Sequence, residues 1–244
     1  GPEVVSWAKN VWGELAAPNG RPIWQNFVEW FGDSVIVNED GTPRVMYHGT
    51  KAPVDFDQFL SDYDFEIGTH VGTAAQANDP RFVGSIYWED GAILQGNLRS
   101  GPSSRVLPLI IRMSNPLRVE DNFGMSAGAV LDSIRTGLED SDSVTARDNA
   151  RIDAMVNSFY DRLDKLERAG QPSDIATNEM WPKIRQLLDD LGYDGLVYRN
   201  SAEGFRRPGL NDPTRQNYYP DALDRPEDSY VLLNPGQAKS TTQT

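Results

Sequence analysis

Turn residues punctuate this chain: 21 glycines and 16 prolines are spread along 244 residues, with no internal repeat and no heptad between them. A backbone interrupted this often builds short elements joined by substantial loops, not a long bundle or a coiled coil. Apolar residues make up 39% of the chain, enough for a real core. No apolar run approaches the roughly 20 residues that cross a bilayer, so the reading is of a soluble protein without a membrane partner. Cysteine is absent, which excludes disulfides, thiol nucleophiles and Cys-ligated zinc together. The chain carries 36 acidic against 23 basic residues, a net charge of −13, and has no basic tract. That balance argues against non-specific binding along a nucleic-acid backbone, although a local basic groove stays open. The opening Gly1-Pro2-Glu3 lacks a positive segment followed by an apolar one, and reads as the cut end of a longer polypeptide, not a signal peptide.

The first 33 residues are too apolar for a disordered leader, with Trp7, Trp12, Leu15, Trp24, Phe27, Trp30 and Phe31 among them. The spacing Ile23, Phe27, Trp30, Phe31 predicts a short helix with one aromatic face, stopped by Gly32. Ser34 to Val37, the turn Asn38-Glu39-Asp40-Gly41 and Arg44 to Tyr47 read as strand, turn, strand, with His48-Gly49-Thr50 terminating the second strand. A polar stretch containing Phe56 and Phe59 leads to a turn at His70 and a helix-like Ala74-Ala75-Gln76-Ala77. Val106 to Arg112 is a strand. Ile152, Met155, Val156, Phe159, Leu163 and Leu166 fall at helical spacing before Gly170, and a second helix places Pro182 in its first turn ahead of Ile184, Leu187, Leu188 and Leu191. Gly195 to Arg199 and Ser229 to Leu233 are strands, residues 204–228 form a long irregular connection, and residues 236–244 read as a frayed tail.

Chemistry has few places to sit. The two histidines, His48 and His70, each occupy a Gly- and Thr-flanked turn, where backbone and imidazole approach a ligand closely. No His-x-x-x-His pair or clustered carboxylate spacing supports a metal. Walker A and Gly-x-Gly-x-x-Gly patterns are absent, which leaves conventional nucleotide folds without support.

The strings Phe27-Val28-Glu29-Trp30-Phe31-Gly32-Asp33-Ser34 and Gly41-Thr42-Pro43-Arg44-Val45-Met46-Tyr47-His48-Gly49-Thr50 resemble the opening of the ADP-ribosyltransferase-like domains of phage and mobile-element polyvalent proteins. The resemblance continues through Gly68 to Ala77, Ile111 to Leu117, Leu191 to Glu203 and Asp228 to Ser240, in the family's order. It implies an α+β fold of the diphtheria-toxin and poly(ADP-ribose) polymerase type. The expected core is a split antiparallel β-sheet over residues 34–240, with N-terminal helices over residues 1–33, a helical insertion at about 125–191 and a tail at 241–244.

The same resemblance implies NAD as substrate and no metal. His48 would hydrogen-bond a ribose hydroxyl, the Gly49 backbone would bind the nicotinamide carboxamide, and Thr50 would steady the turn, with Tyr47 and Thr73 beside them. His70 stands where the family offers a Tyr that stacks on nicotinamide, and an imidazole near its ordinary pKa of 6.5 would bring a pH dependence that Tyr lacks. Polymerase-type relatives open their last core strand with a Glu; here that position is Ser229. The carboxylate must then come from elsewhere, and Glu203 is preferred to Glu227, which lies two residues before Ser229 on the same side of an extended strand.

A fixed carboxylate matters because breaking the nicotinamide–ribose bond develops an oxocarbenium-like centre that an anion in a desolvated cleft stabilises. The pyrophosphate of NAD asks for cations, for which Lys51, Arg81 and Arg199 are candidates. Phe205, Arg206, Arg207, Arg215, Tyr218 and Tyr219 lie where such folds recognise the acceptor. The expected activity is mono-ADP-ribosyl transfer to a macromolecular acceptor, protein in preference to nucleic acid, by a phage-associated or toxin-like effector acting in the bacterial cytoplasm or delivered there. A cognate inhibitor or a larger parent polypeptide is the further expected partner. A non-catalytic NAD- or ADP-ribose-binding module and a NAD glycohydrolase are the alternatives.

Overall fold

A computed structural model describes residues 1–50, 67–78, 86–89, 92–95, 105–121, 126–141, 145–201, 203 and 226–241. The fold is mixed α+β, with strands gathered into one antiparallel and one mixed sheet. In chain order come α1 (Pro2–Trp12), α2 (Ile23–Phe31), β1 (Val45–Thr50), β2 (Thr69–Val71), α3 (Ala74–Ala77), β3 (Ile86–Glu89), β4 (Ala92–Gln95), β5 (Arg105–Ile111) and β6 (Pro116–Val119). After these stand the helices α4 (Ala127–Asp140), α5 (Ala146–Arg168) and α6 (Asp174–Asp190), then β7 (Gly195–Asn200), β8 (Glu227–Leu232) and β9 (Ala238–Ser240). Among the described residues no helix is long and apolar enough to cross a membrane.

The first sheet has the order β1-β5-β9 and the second β2-β8-β7-β6; β3 and β4 form a separate hairpin. Period-two alternation assigns each face of the first sheet to a different layer. Ile110 of β5 packs under α1 and α2 with Val4, Ala8, Phe27 and Phe31, whereas Leu109 and Ile111 join Met46, Val71 and Leu232 between the two sheets. On the outer face of the second sheet, Leu117, Leu196 and Val231 pack against α4, α5 and α6 through Leu131, Ile134, Phe159, Trp181 and Ile184. The layers therefore run helices, sheet, sheet, helices. Each such buried side chain stabilises the fold by about 1.5–3 kcal/mol relative to exposure.

Several expectations are corrected by the tertiary context. The second sheet is not wholly antiparallel, because β6 pairs parallel to β7. A helical crossover as long as α4 to α6 is what parallel neighbours require. Residues 34–37 form no ladder strand: Val37 makes a single bridge to Pro43. Instead Val35 N donates to Met113 O at 2.8 Å and Ser34 Oγ donates to Ile111 O at 3.1 Å, so the segment caps the end of β5. Pro182 is inside α6, not in its first turn. The apolar face runs back through Met180, Trp181 and Ala176, all buried, and holds the helix together across the missing N–H. Nor are residues 236–240 a frayed tail, since Ala238–Ser240 pairs with Leu109 to Ile111 as β9.

Candidate active site

The two sheets meet where β1 passes β2. Tyr47 N donates to Gly72 O at 2.8 Å and Gly72 N donates to Tyr47 O at 2.9 Å. Because Tyr47 spends both backbone groups on this junction, the alternation of an antiparallel strand turns the N–H and C=O of Gly49 to the same edge, away from β5. His48, Gly49 and Thr50 continue β1 opposite Leu107, Val106 and Arg105. The expected turn at His48 is thus a strand, extended because β5 supplies partners as far back as Arg105. His70 likewise lies in β2, opposite Val231, and not in a turn.

His48 reaches across the junction, its Nδ1 bonding the His70 carbonyl oxygen at 2.8 Å. A carbonyl oxygen only accepts, so this nitrogen carries the proton. The imidazole of His70 meets Tyr198, with Nδ1 3.2 Å from the phenolic oxygen and the rings edge to face at 6.2 Å. Its Nε2 is buried without a hydrogen-bond partner among the described residues. Desolvation, with a smaller contribution from His48, pushes the His70 pKa down to about 4. The expected titration near 6.5 is thereby corrected: His70 is neutral at pH 7.

Register does the rest. Tyr198 stands opposite Ser229 and Asn200 opposite Glu227, and His70 opposite Val231, which puts His70, Tyr198, Asn200, Ser229 and Glu227 on one face of the second sheet, the face whose Leu196 and Val231 pack against the helices. Gly72 closes that face from the side, where an added Cβ would lie 3.0 Å from Ser229 Oγ and 2.5 Å from Gln76 Oε1. Thr73 caps α3 in a reciprocal capping box with Gln76, and Gln76 Nε2 donates to Glu227 O at 3.0 Å. This links the short helix to the start of β8.

The two candidate carboxylates part company here. Asn200 Nδ2 donates to Glu203 Oε2 at 2.7 Å and to Ser229 Oγ at 3.0 Å, so Glu203 and Ser229 share one amide nitrogen. Glu227, although on the same face as Ser229, sends its carboxylate to within 4.0 Å of Arg44. Arg44 is a cation beside the site that sequence reading passed over, as were Gln76, Tyr198 and Asn200. Only their positions inside the matched strings marked them. Arg199 is exposed. Lys51, Arg81, Phe56, Phe59 and the residues from Phe205 to Tyr219 lie outside the described residues.

The sequence also contains one Gly-x-Ser-x-Gly string, Gly124 to Gly128, the spelling of a serine nucleophile elbow. Its Ser126 is the exposed N-cap of α4, where Oγ accepts from Ala129 N at 3.3 Å, and neither histidine bonds it. Ser126 serves a helix start. Among the described residues no group of three His, Asp or Glu side chains is placed to hold a metal. Compared with protein-family models, with curated proteins and with solved structures, the chain matches none.

Proposed function

We propose that the protein cleaves the nicotinamide–ribose bond of NAD and transfers ADP-ribose to a macromolecular acceptor, on an ADP-ribosyltransferase-type core. The observation that supports this reading is the sheet junction at Tyr47 and Gly72, beside which the Gly49 peptide edge turns away from β5, His48 bonds the His70 carbonyl, and Gly72 lies against Ser229 of the Ser229–Asn200–Glu203 chain. A primary carboxamide presents a donor and an acceptor side by side, which a strand edge complements with its own C=O and N–H. His48, held by its Nδ1 on the His70 carbonyl, is the group assigned to a ribose hydroxyl, and neutral His70 offers an uncharged ring to the nicotinamide, which departs as a neutral base. Arg44, within 4.0 Å of Glu227, is a candidate cation for the pyrophosphate.

In the reaction, the bond between ribose C1′ and the nicotinamide nitrogen breaks and its electron pair leaves with nicotinamide. The C1′ centre gains positive character, which the Glu203 carboxylate opposes electrostatically. The acceptor's nucleophilic atom then bonds to C1′ and its proton passes to Glu203. An acidic chain of net charge −13 suits a protein acceptor better than a nucleic acid. A phage-associated or toxin-like effector, with an inhibitor or a larger parent polypeptide as partner, is the setting that the resemblance suggests.

A second reading is favoured by one feature, the Ser229 in place of a strand carboxylate: a module that binds NAD or ADP-ribose without turning it over. The test is nicotinamide release by the wild type, Glu203→Gln and Glu227→Gln, with and without cell lysate, followed by intact mass of the products. Release that grows with lysate and falls by about 10²-fold or more in Glu203→Gln, with Glu227→Gln much less affected, is the expected result. Release with no labelled acceptor means a glycohydrolase. Binding without release means the non-catalytic module.

A further inference from the structure

We infer that Asn200 is the positioning residue of this site, a buried amide that brackets the Glu203 carboxylate to the Ser229 hydroxyl and so makes up for the carboxylate that position 229 lacks. The inference rests on the reading of Glu203 as the working carboxylate. Asn200 ends β7 and is 1% exposed, and Ser229 across the ladder is 3% exposed. The amide has two N–H donors, and Nδ2 donates to two side-chain oxygens, Glu203 Oε2 at 2.7 Å and Ser229 Oγ at 3.0 Å. Its Oδ1 accepts from Glu203 N at 2.9 Å. Glu203 is thereby pinned at both backbone and carboxylate by one buried side chain, itself held in a sheet.

A plain turn-forming role accounts for only part of this. Asparagine commonly ties a turn by accepting a backbone N–H a few residues on, and Oδ1 alone does that. The Nδ2 donors have no part in the turn; they fix the Glu203 carboxylate relative to the Ser229 hydroxyl. Ser229 accepts from the amide, so its own O–H is not spent on that bond. The two functions of Asn200 are separable by substitution. Asn200→Asp keeps an oxygen for the Glu203 N–H but removes both donors and sets a second carboxyl beside the first. Two carboxyls sharing a site cannot both ionise freely, so the apparent titration of the pair moves upward.

The experiment uses the full chain and two variants, Asn200→Asp and Asn200→Ser, with Glu203→Gln to assign the signal. Carbon-13 NMR follows the Glu203 carboxyl through pH, and nicotinamide release from NAD gives kcat and KM through the same range. In Asn200→Asp the Glu203 titration is expected to rise by about one pH unit or more. The acid limb of kcat should move with it, with kcat at pH 7 down about tenfold and KM for NAD within about threefold. Asn200→Ser should lower kcat without the upward displacement that a second carboxyl brings, and neither substitution should cost further activity in a Glu203→Gln background.

An unchanged Glu203 titration and pH profile in Asn200→Asp, with activity still dependent on Glu203, overturns the bracket while leaving the transferase reading intact. If the wild type releases no nicotinamide, that reading falls instead, and the NMR titration decides the bracket alone. If both variants unfold, Asn200 is a folding residue and the inference fails.

Discussion

His70 has two ring nitrogens, and the fold provides for one of them. Nδ1 faces the Tyr198 hydroxyl while Nε2 is enclosed without a partner among the described residues. Protonation would bury a charge beside the neighbouring His48, which is why the pKa falls to about 4. Between pH 4 and 6.5 the unfolded chain therefore binds a proton that the native chain refuses, so stability rises with pH across that window. The contribution is complete above about pH 6.5 and is progressively lost on acidification. For a group this enclosed it amounts to about 2 kcal/mol between pH 7 and pH 5. Urea denaturation at the two pH values should show the wild type losing that much more than His70→Phe, which keeps a flat ring against Tyr198 but does not titrate. The carboxyls with lowered pKa, Asp40, Asp148, Glu179 and Asp190, are the same in both proteins, so the difference between them reads His70. Sequence marked His70 as a site residue from its flanking Gly and Thr, but its protonation state depends on what encloses it, which no local pattern carries.

Helix α4 rests on β6 through a glycine. A Cβ built at Gly137 would lie 2.1 Å from the Arg118 carbonyl oxygen and 3.4 Å from Val119 Cγ1. In an ordinary helix interior, Gly to Ala stabilises by about 0.5–1 kcal/mol. Here the sign should reverse, because the new methyl meets a strand backbone that cannot yield without moving β6 off β7. Gly137→Ala is expected to destabilise by about 2 kcal/mol or more, read from the urea midpoint. The periodicity of α5 and the second half of α6 was legible, since Ile152, Phe159, Leu166, Ile184, Leu187 and Leu188 repeat at helical spacing and are all buried. The start of α6 was not, because Pro182 locally signals a first turn and only packing of Trp181 against the second sheet's helices keeps the chain helical on both sides of it. β1 shows the same limit at its far end: His48-Gly49-Thr50 has the composition of a turn, yet six residues of β5 stand opposite the strand and extend it.

At the scale of the whole molecule, one side chain fastens the two sheets at a second place, away from the Tyr47–Gly72 bridge. Gln237 Oε1 accepts from Leu233 N and Asn234 N at 2.9 and 2.8 Å. Its Nε2 donates to Asp194 O at 2.7 Å and Arg112 O at 3.2 Å, while its backbone O accepts from Arg112 N at 2.7 Å. Arg112 follows β5 of the first sheet and Asp194 precedes β7 of the second, so the amide spans both. Gln237→Ala leaves several buried backbone groups unsatisfied and should cost about 2–4 kcal/mol in a urea titration. Gln237→Glu, which keeps the acceptor and loses the donors, should fall between. The order of elements, the apolar faces of the helices and the identity of His48, His70 and Glu203 as candidates follow from the sequence alone, because periodicity and short strings are local properties. The parallel placement of β6, the pairing of β9, the neutral state of His70 and the bracket from Asn200 to Glu203 and Ser229 were decided only by tertiary structure. Each depends on residues far apart in the chain being brought together, as Asn200 and Ser229 are across 29 positions, and a sequence records which groups are present without recording the distance between them.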